Sequence, residues 1–157
     1  MKIGVELRLD RDAGELFADA RAFEAADADS FWVFGREDHD AWALLGAIAA
    51  AVWRARIVAV EPPDRPNARR TVERLSRGRL LTAKRAGDAL ALGAEGEPER
   101  WTESPLPSGR AAWKELREAR TAEGFTGIVV PNDPRLLDLL RNPDVEDDRS
   151  DLRQSVG

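Results

Sequence analysis

The stretch from Asp29 to Pro66 constrains the fold of this chain more than any other segment. Its residues follow the pattern of a strand, a polar turn, an apolar helix, a basic turn and a second strand in one unbroken run. Asp40 is a good N-cap for the Ala-rich helix, and β-branched or aromatic residues fill the two strands. Strands that alternate with helices in this way favour a parallel sheet with right-handed crossovers.

The same alternation continues on both sides of this stretch. The predicted strands are Ile3–Leu7, Ser30–Phe34, Arg56–Val60, Leu80–Ala83 and Gly127–Val130. Helices are predicted between the first four strands, and two more are predicted after Ser108 and after Asn132. The periodicity changes in the middle of the chain, where Ala89–Ala94 and Glu99–Glu103 predict a β-hairpin.

Composition limits the possible functions. A chain of 157 residues can bury one core, so we predict a single α/β domain over 1–142 and a frayed acidic tail over 143–157. The absence of cysteine excludes disulfides and thiolate chemistry.

A net charge of −5 argues against a nucleic-acid surface. The Ala41–Trp53 run is too short to span a bilayer, and no charged-then-apolar leader opens the sequence. We therefore expect a cytoplasmic protein with neither a membrane nor a nucleic-acid partner.

Several short motifs carry a family resemblance. They are Asp29-Ser30-Phe31-Trp32, Asp38-His39, Trp42-Ala43-Leu44-Leu45, Arg56-Ile57 and Leu75-Ser76-Arg77-Gly78-Arg79. In this order and spacing the chain resembles the luciferase-like monooxygenases, which are flavin- and deazaflavin-dependent (β/α)8 barrels. The resemblance covers Met1 to Ala83, and a weaker match covers Ser108 to Leu140. The middle of such a barrel is replaced here by the hairpin.

The resemblance implies a mostly parallel sheet in a truncated or incomplete (β/α)8 TIM-barrel-like fold with an inserted β-hairpin. It also implies a luciferase-like oxidoreductase-like protein with reduced or lost catalysis, because this chain has Lys84-Arg85-Ala86-Gly87-Asp88 where the family has a glycine-rich turn. FMN or a deazaflavin would then bind weakly. The alternative is a non-catalytic binding or assembly protein that retains the barrel-derived fold. We expect a homodimer that buries the Ala41–Trp53 or the Ala68–Leu75 helix.

Parallel sheets place their sites at the C-terminal ends of the strands. The positions that follow predicted strands are Glu6, the Arg36 to His39 loop, Glu61, Lys84 with Arg85, and Asn132 with Asp133.

From these we predict His39 as the catalytic residue, because the lone histidine can exchange protons near neutral pH. A structural role for His39 is the more frequent alternative. Glu61, Lys84 and Arg85 are predicted to bind the cofactor, although Lys84 and Arg85 could equally form surface ion pairs. We predict no metal site, because the adjacent residues 37–40 do not converge on one ion.

Overall fold

The computed structural model describes residues 1–10, 12–36, 39–93 and 96–142. The strands are β1 (Lys2–Glu6), β2 (Ser30–Phe34), β3 (Arg56–Val60), β4 (Leu80–Ala86), β5 (Ala89–Leu92), β6 (Glu99–Glu103) and β7 (Gly127–Pro131). The helices are α1 (Ala13–Ala25), α2 (Ala41–Ala51), α3 (Pro66–Ser76), α4 (Arg110–Ala122) and α5 (Arg135–Arg141). The predicted tail, 143–157, and Ala94 of the predicted hairpin lie outside the described residues.

The strands close into a barrel in the order β1 to β7, with β7 paired to β1. Strand β5 runs antiparallel to β4 and to β6, whereas the other neighbouring pairs are parallel. The predicted fold, a mostly parallel and incomplete (β/α)8 barrel, is therefore wrong. Within the described residues the chain forms a closed seven-stranded mixed barrel with five helices.

The hairpin explains this difference. It was expected as an insertion in a truncated or incomplete barrel, but its strands form part of the barrel wall. Strand β4 continues three residues beyond the predicted end at Ala83 and turns back at Gly87, whose φ of 66° suits glycine. Because β6 then runs parallel to β7, the barrel closes without the units that a longer chain would supply.

Two tryptophans fill the barrel interior. Trp32 and Trp101 are fully buried, and their ring centroids lie 5.0 Å apart. Glycines of the neighbouring strands face them: a Cβ on Gly4 would lie 2.7 Å from Trp32 Cδ1, and one on Gly127 would lie 2.6 Å from Trp101 Cη2. Each indole N–H has a partner, Ser30 Oγ at 2.8 Å for Trp32 and a Glu99 carboxylate oxygen at 2.9 Å for Trp101. The interior is thus a packed core with no room for a ligand.

A second core lies between the barrel wall and the helices. The outward side chains of the parallel strands, such as Val5, Phe31 and Ile57, pack there against Phe23 of α1 and Ile48 of α2. Period-two alternation separates the two cores, because neighbouring residues of one strand point to opposite faces of the wall.

Charged side chains close the N-terminal end of the barrel. Arg56 donates to Asp29 and, at 3.1 Å, to both carboxylate oxygens of Glu99, which also accepts from Lys2 at 2.6 Å. Burial alone would lower the pKa of Arg56, but its hydrogen bonds and attraction to Asp29 and Glu99 raise the pKa above the ordinary arginine value. These ion pairs stabilise the N-terminal end of the barrel.

Two polar side chains hold the turn from α2 to β3. The Glu24 carboxylate accepts from the backbone N–H groups of Trp53, Arg54 and Ala55 at 2.6 to 3.1 Å. From the other side the Arg79 guanidinium donates to backbone carbonyls of Ala49, Val52 and Ala55 at 2.9 to 3.1 Å. Arg79 belongs to the Leu-Ser-x-Gly-Arg motif, so that motif has a structural explanation here.

Most predicted element bounds are close to the observed ones. The strands at Ser30–Phe34, Arg56–Val60 and Glu99–Glu103 are confirmed as predicted, and Asp40 accepts from Trp42 N as the N-cap of α2. The helix expected after Ser108 instead has Gly109 at its N-cap position. No helix among the described residues is long and apolar enough to cross a bilayer.

Candidate functional site

The C-terminal mouth of the barrel gathers charged side chains at the ends of several strands. On one side stands Glu6, at the end of β1, which is only 8% exposed. Its carboxylate accepts two hydrogen bonds from Arg8, at 2.7 and 3.1 Å, and one from Arg36 at 2.8 Å. A buried carboxylate needs such partners, because burying an unpaired charge is costly.

The opposite side of the mouth is built around Arg85, at the end of β4. Its guanidinium donates to Glu103 of β6 at 2.7 Å and lies 5.5 Å from the ring centroid of Phe34. Its backbone N–H donates to the Glu61 carboxylate at 3.2 Å. Arg85 of β4 therefore contacts residues of β2 and β6 and the residue that follows β3.

Between Glu6 and Glu103 lies a shallow cleft of about 280 Å³, which we call the mouth cleft. It is lined by Glu6, Arg8, Glu103, Ser104, Pro105, Val129 and Pro131. Val129, at its base, belongs to the same buried cluster as the two tryptophans, together with Phe34, Val60 and Leu90.

The mouth does not fit a tightly held flavin. A flavin needs a slot for its ring system, and the space below the mouth is filled by apolar side chains. It also needs a cation for its phosphate, and Arg8, Arg36 and Arg85 are already bound to Glu6 or Glu103. A phosphate would have to displace one of these carboxylates.

The structure separates the predicted cofactor-binding residues. The Glu61 carboxylate accepts from the Arg85 backbone N–H and also borders the depression that contains Lys84, but the side chains of Lys84 and Arg85 are apart, because consecutive residues of a strand point to opposite faces. Arg85 faces the mouth, whereas Lys84 lines a different depression outside the wall, which we call the outer cleft. The outer cleft is lined by Trp42, Glu61, Pro62, Pro63, Asp64, Arg65, Arg69, Thr82, Ala83 and Lys84.

His39, the predicted catalytic residue, is half-buried in the loop that precedes α2. Its neighbour Asp40 caps that helix and also pairs with Arg65 of the β3–α3 loop. His39 is not among the described residues that line the mouth cleft or the outer cleft. In the described part of the chain, no three His, Cys, Asp or Glu side chains form a group that could hold a metal ion.

Sequence reasoning listed Glu6 and the Arg36 loop as candidates by position but did not select them, and it missed Arg8 and Glu103 altogether. Glu103 ends a strand of the hairpin, which was treated as an insertion. A usable signal was the placement of acidic residues at positions 6, 61 and 103, each at or just after the end of a strand that runs toward the mouth.

Comparisons with known proteins give no match: no family model, no curated protein and no solved structure matches this chain. The resemblance to the luciferase-like monooxygenases therefore stays a prediction from short motifs.

Proposed function

We propose that this protein is a non-catalytic binding or assembly protein that associates with a second copy of itself. The observation that carries the proposal is an exposed apolar strip on α2 and α3. Within the described residues, the closed barrel has no open sheet edge for a partner to cover, so the strip is the surface on which the proposal rests.

The strip combines small side chains with two large exposed ones. Along the outer side of α2 lie Ala43, Ala47 and Ala50, which are exposed or half-buried, and Gly46 faces Val72 and Leu75 of α3. Trp53, just beyond the C-terminal end of α2, is 64% exposed, and Leu75, beside Gly46, is 45% exposed. Small residues let a second helix approach closely, and a large exposed tryptophan beside them is typical of an interface.

The mouth supports the non-catalytic part of the proposal. Its carboxylates and guanidinium groups bind one another, with Glu6 held by Arg8 and Arg36, and Glu103 by Arg85. A general acid or base has to exchange a proton with a substrate, and a nucleophile needs an adjacent base. The described mouth residues instead form structural ion pairs.

Two arginine substitutions test the assembly proposal. Ala50→Arg places a charge within the strip, whereas Ala119→Arg places the same charge on the exposed side of α4. Both positions are exposed helical alanines, so neither variant should unfold the monomer. We expect self-association to be lost in Ala50→Arg and kept in Ala119→Arg. Equal association of both variants would exclude the strip as the interface.

A second candidate function is a flavin-associated oxidoreductase-like role with reduced or lost catalysis, as the sequence resemblance implies. The favouring observation is Arg85, whose half-exposed guanidinium stands at the mouth beside Phe34. It could contact the phosphate of FMN or of a deazaflavin cofactor, but only by weakening its pair with Glu103. Binding would therefore be weak, and the flavin titration described below separates this candidate from the first.

We also propose a cytoplasmic location. It rests on the absence of cysteine from all 157 residues, because a reducing compartment gives no use for disulfides.

A further inference from the structure

We infer that the outer cleft is a binding site for a small carboxylic acid with an apolar body, separate from the mouth of the barrel. The cleft has a volume of about 410 Å³ and lies between the β3–α3 loop, the start of α2 and the outer face of β4. This volume is within the range of small-molecule sites, roughly 300–1,000 Å³. The inference does not depend on the proposed self-association.

Two side chains on β4 offer unused hydrogen-bond donors to this cleft. Thr82 and Lys84 are two residues apart on one strand, so they share a face, and their Cα atoms are about 7 Å apart. Within the described part of the chain, the Lys84 ammonium forms no ion pair and the Thr82 hydroxyl forms no hydrogen bond. An ammonium and a hydroxyl side by side can together bind the two oxygens of one carboxylate.

The arginines of the cleft are engaged elsewhere, which leaves Lys84 as its available cation among the described residues. Arg65 pairs with Asp40, the N-cap of α2, and Arg69 pairs with Glu73 at 2.9 Å. An acidic group of a ligand would therefore bind most favourably beside Lys84.

The cleft wall is formed before any ligand arrives. Trp42 Nε1 donates to the Pro63 carbonyl at 2.8 Å, and the Arg65 pair with Asp40 ties the same loop to α2. Two consecutive prolines, Pro62 and Pro63, restrict the loop further. A preformed site loses little conformational entropy on binding.

The backbone conformation of Glu61 is a second observation that points to a functional role for this loop. Its φ of 45° is in the left-handed region, which is sparsely populated for residues with a side chain. A Cβ at position 35 would collide with the Glu61 carbonyl oxygen, so Gly35 is needed to accommodate this backbone. Unlike Arg77, which is the C-cap of a helix, Glu61 follows a strand at the edge of the cleft.

The lining favours a carboxylate over a phosphate. Glu61 and Asp64 both contribute carboxylates to the cleft, and these would repel a dianion more strongly than a monoanion. Pro62, Pro63 and the edge of Trp42 offer an apolar surface for the rest of the ligand. The recognised group is therefore a singly charged carboxylate with an apolar body.

Benzoate and phenyl phosphate are suitable probes, because they share an aromatic body and differ in the acidic group. Each is titrated into the isotope-labelled full-length protein while amide and indole N–H signals are followed by NMR. We expect benzoate to give saturable shifts at Thr82, Lys84 and the Trp42 indole, with a dissociation constant on the order of 1 mM. Phenyl phosphate should bind more weakly.

Lys84→Met and Lys114→Met form a matched pair, since both lysines are exposed and Lys114 lies on α4 away from the cleft. Losing a charge-assisted hydrogen bond should weaken benzoate binding about tenfold in Lys84→Met. The Lys114→Met variant should bind like the parent protein. The proposal is overturned by non-saturable shifts, by equal binding in both variants, or by tighter binding of phenyl phosphate than of benzoate.

Discussion

Trp32 and Trp101 lie against each other inside the barrel, with ring centroids 5.0 Å apart and ring planes inclined by 51°. Trp32 extends from β2 across Gly4 of β1, and Trp101 extends from β6 across Gly127 of β7. This pairing fills the centre of a barrel that has seven strands. It also restricts ligands to clefts on the surface, which is why both proposed sites lie at the mouth or outside the wall.

The tryptophan pair makes the glycine at 127 indispensable for stability. In Gly127→Ala the new methyl group would collide with the Trp101 ring. Overpacking of this kind costs about 1–3 kcal/mol, and we expect the free energy of unfolding in urea to fall by that amount. Gly46→Ala is the control, because its Cβ would meet Leu75 at an ordinary 3.7 Å. Since Gly46 belongs to the strip, the proteins are compared at a concentration low enough to keep them monomeric. A Gly127→Ala variant as stable as the parent would show that the interior is loosely packed.

Acid should destabilise the protein through Glu24. Burial alone would raise the pKa of Glu24, but hydrogen bonds from the N–H groups of Ala55, Arg54 and Trp53 lower the pKa below its ordinary value of 4.5. A group whose folded-state pKa is lowered contributes stability above its unfolded pKa, and this contribution is lost as the pH falls through the folded value. We therefore expect unfolding free energy to decline below about pH 4.5, near the unfolded pKa.

Glu24→Gln tests this assignment. The uncharged amide oxygen accepts these N–H groups more weakly, the amide NH2 would face the Trp53 N–H in place of Oε2, and the group cannot titrate. The variant should therefore be less stable than the parent at neutral pH, by about 1 kcal/mol as for a lost helix cap. The difference between the two proteins should shrink as the pH is lowered through the carboxylate titration. A stability difference that is the same at every pH would show that the negative charge of Glu24 does not strengthen these hydrogen bonds.

Much of the fold could be predicted from local pattern, because β2, β3 and the cap of α2 depend on residues close in sequence. Closure of the barrel could not be predicted in this way, since it depends on which strands pair with the hairpin. The decisive local fact is that β4 continues through Lys84, Arg85 and Ala86 before it turns at Gly87. Glycines inside β1 and β7, opposite large aromatics, were an unused signal of a narrow barrel.

The sequence indicated at which end of the barrel the candidate residues lie, but not which of them line the same cleft. Strand ends located Glu6, Glu61 and Arg85 correctly at one end of the barrel. Lys84 and Arg85 were both predicted to bind the cofactor, because they are adjacent in a predicted turn. They are in fact strand residues, and strand alternation directs them to the outer cleft and the mouth respectively.

Flavin mononucleotide should bind weakly. The arginines at the mouth are paired with Glu6 and Glu103, so we expect a dissociation constant on the order of micromolar or weaker, about −8 kcal/mol or less favourable. Quenching of flavin fluorescence during titration with the protein measures it. His39→Ala should leave the result unchanged, because His39 lines neither described cleft. Stoichiometric binding that is lost in Arg85→Ala would favour the flavin-associated candidate.

The central claim is self-association through the strip on α2 and α3, and sedimentation velocity at micromolar protein concentration tests it most directly. We expect the parent chain and Ala119→Arg to sediment as dimers, and Ala50→Arg to sediment as a monomer with unchanged circular dichroism. A parent chain that sediments as a monomer of 17.4 kDa throughout the micromolar range would contradict the claim.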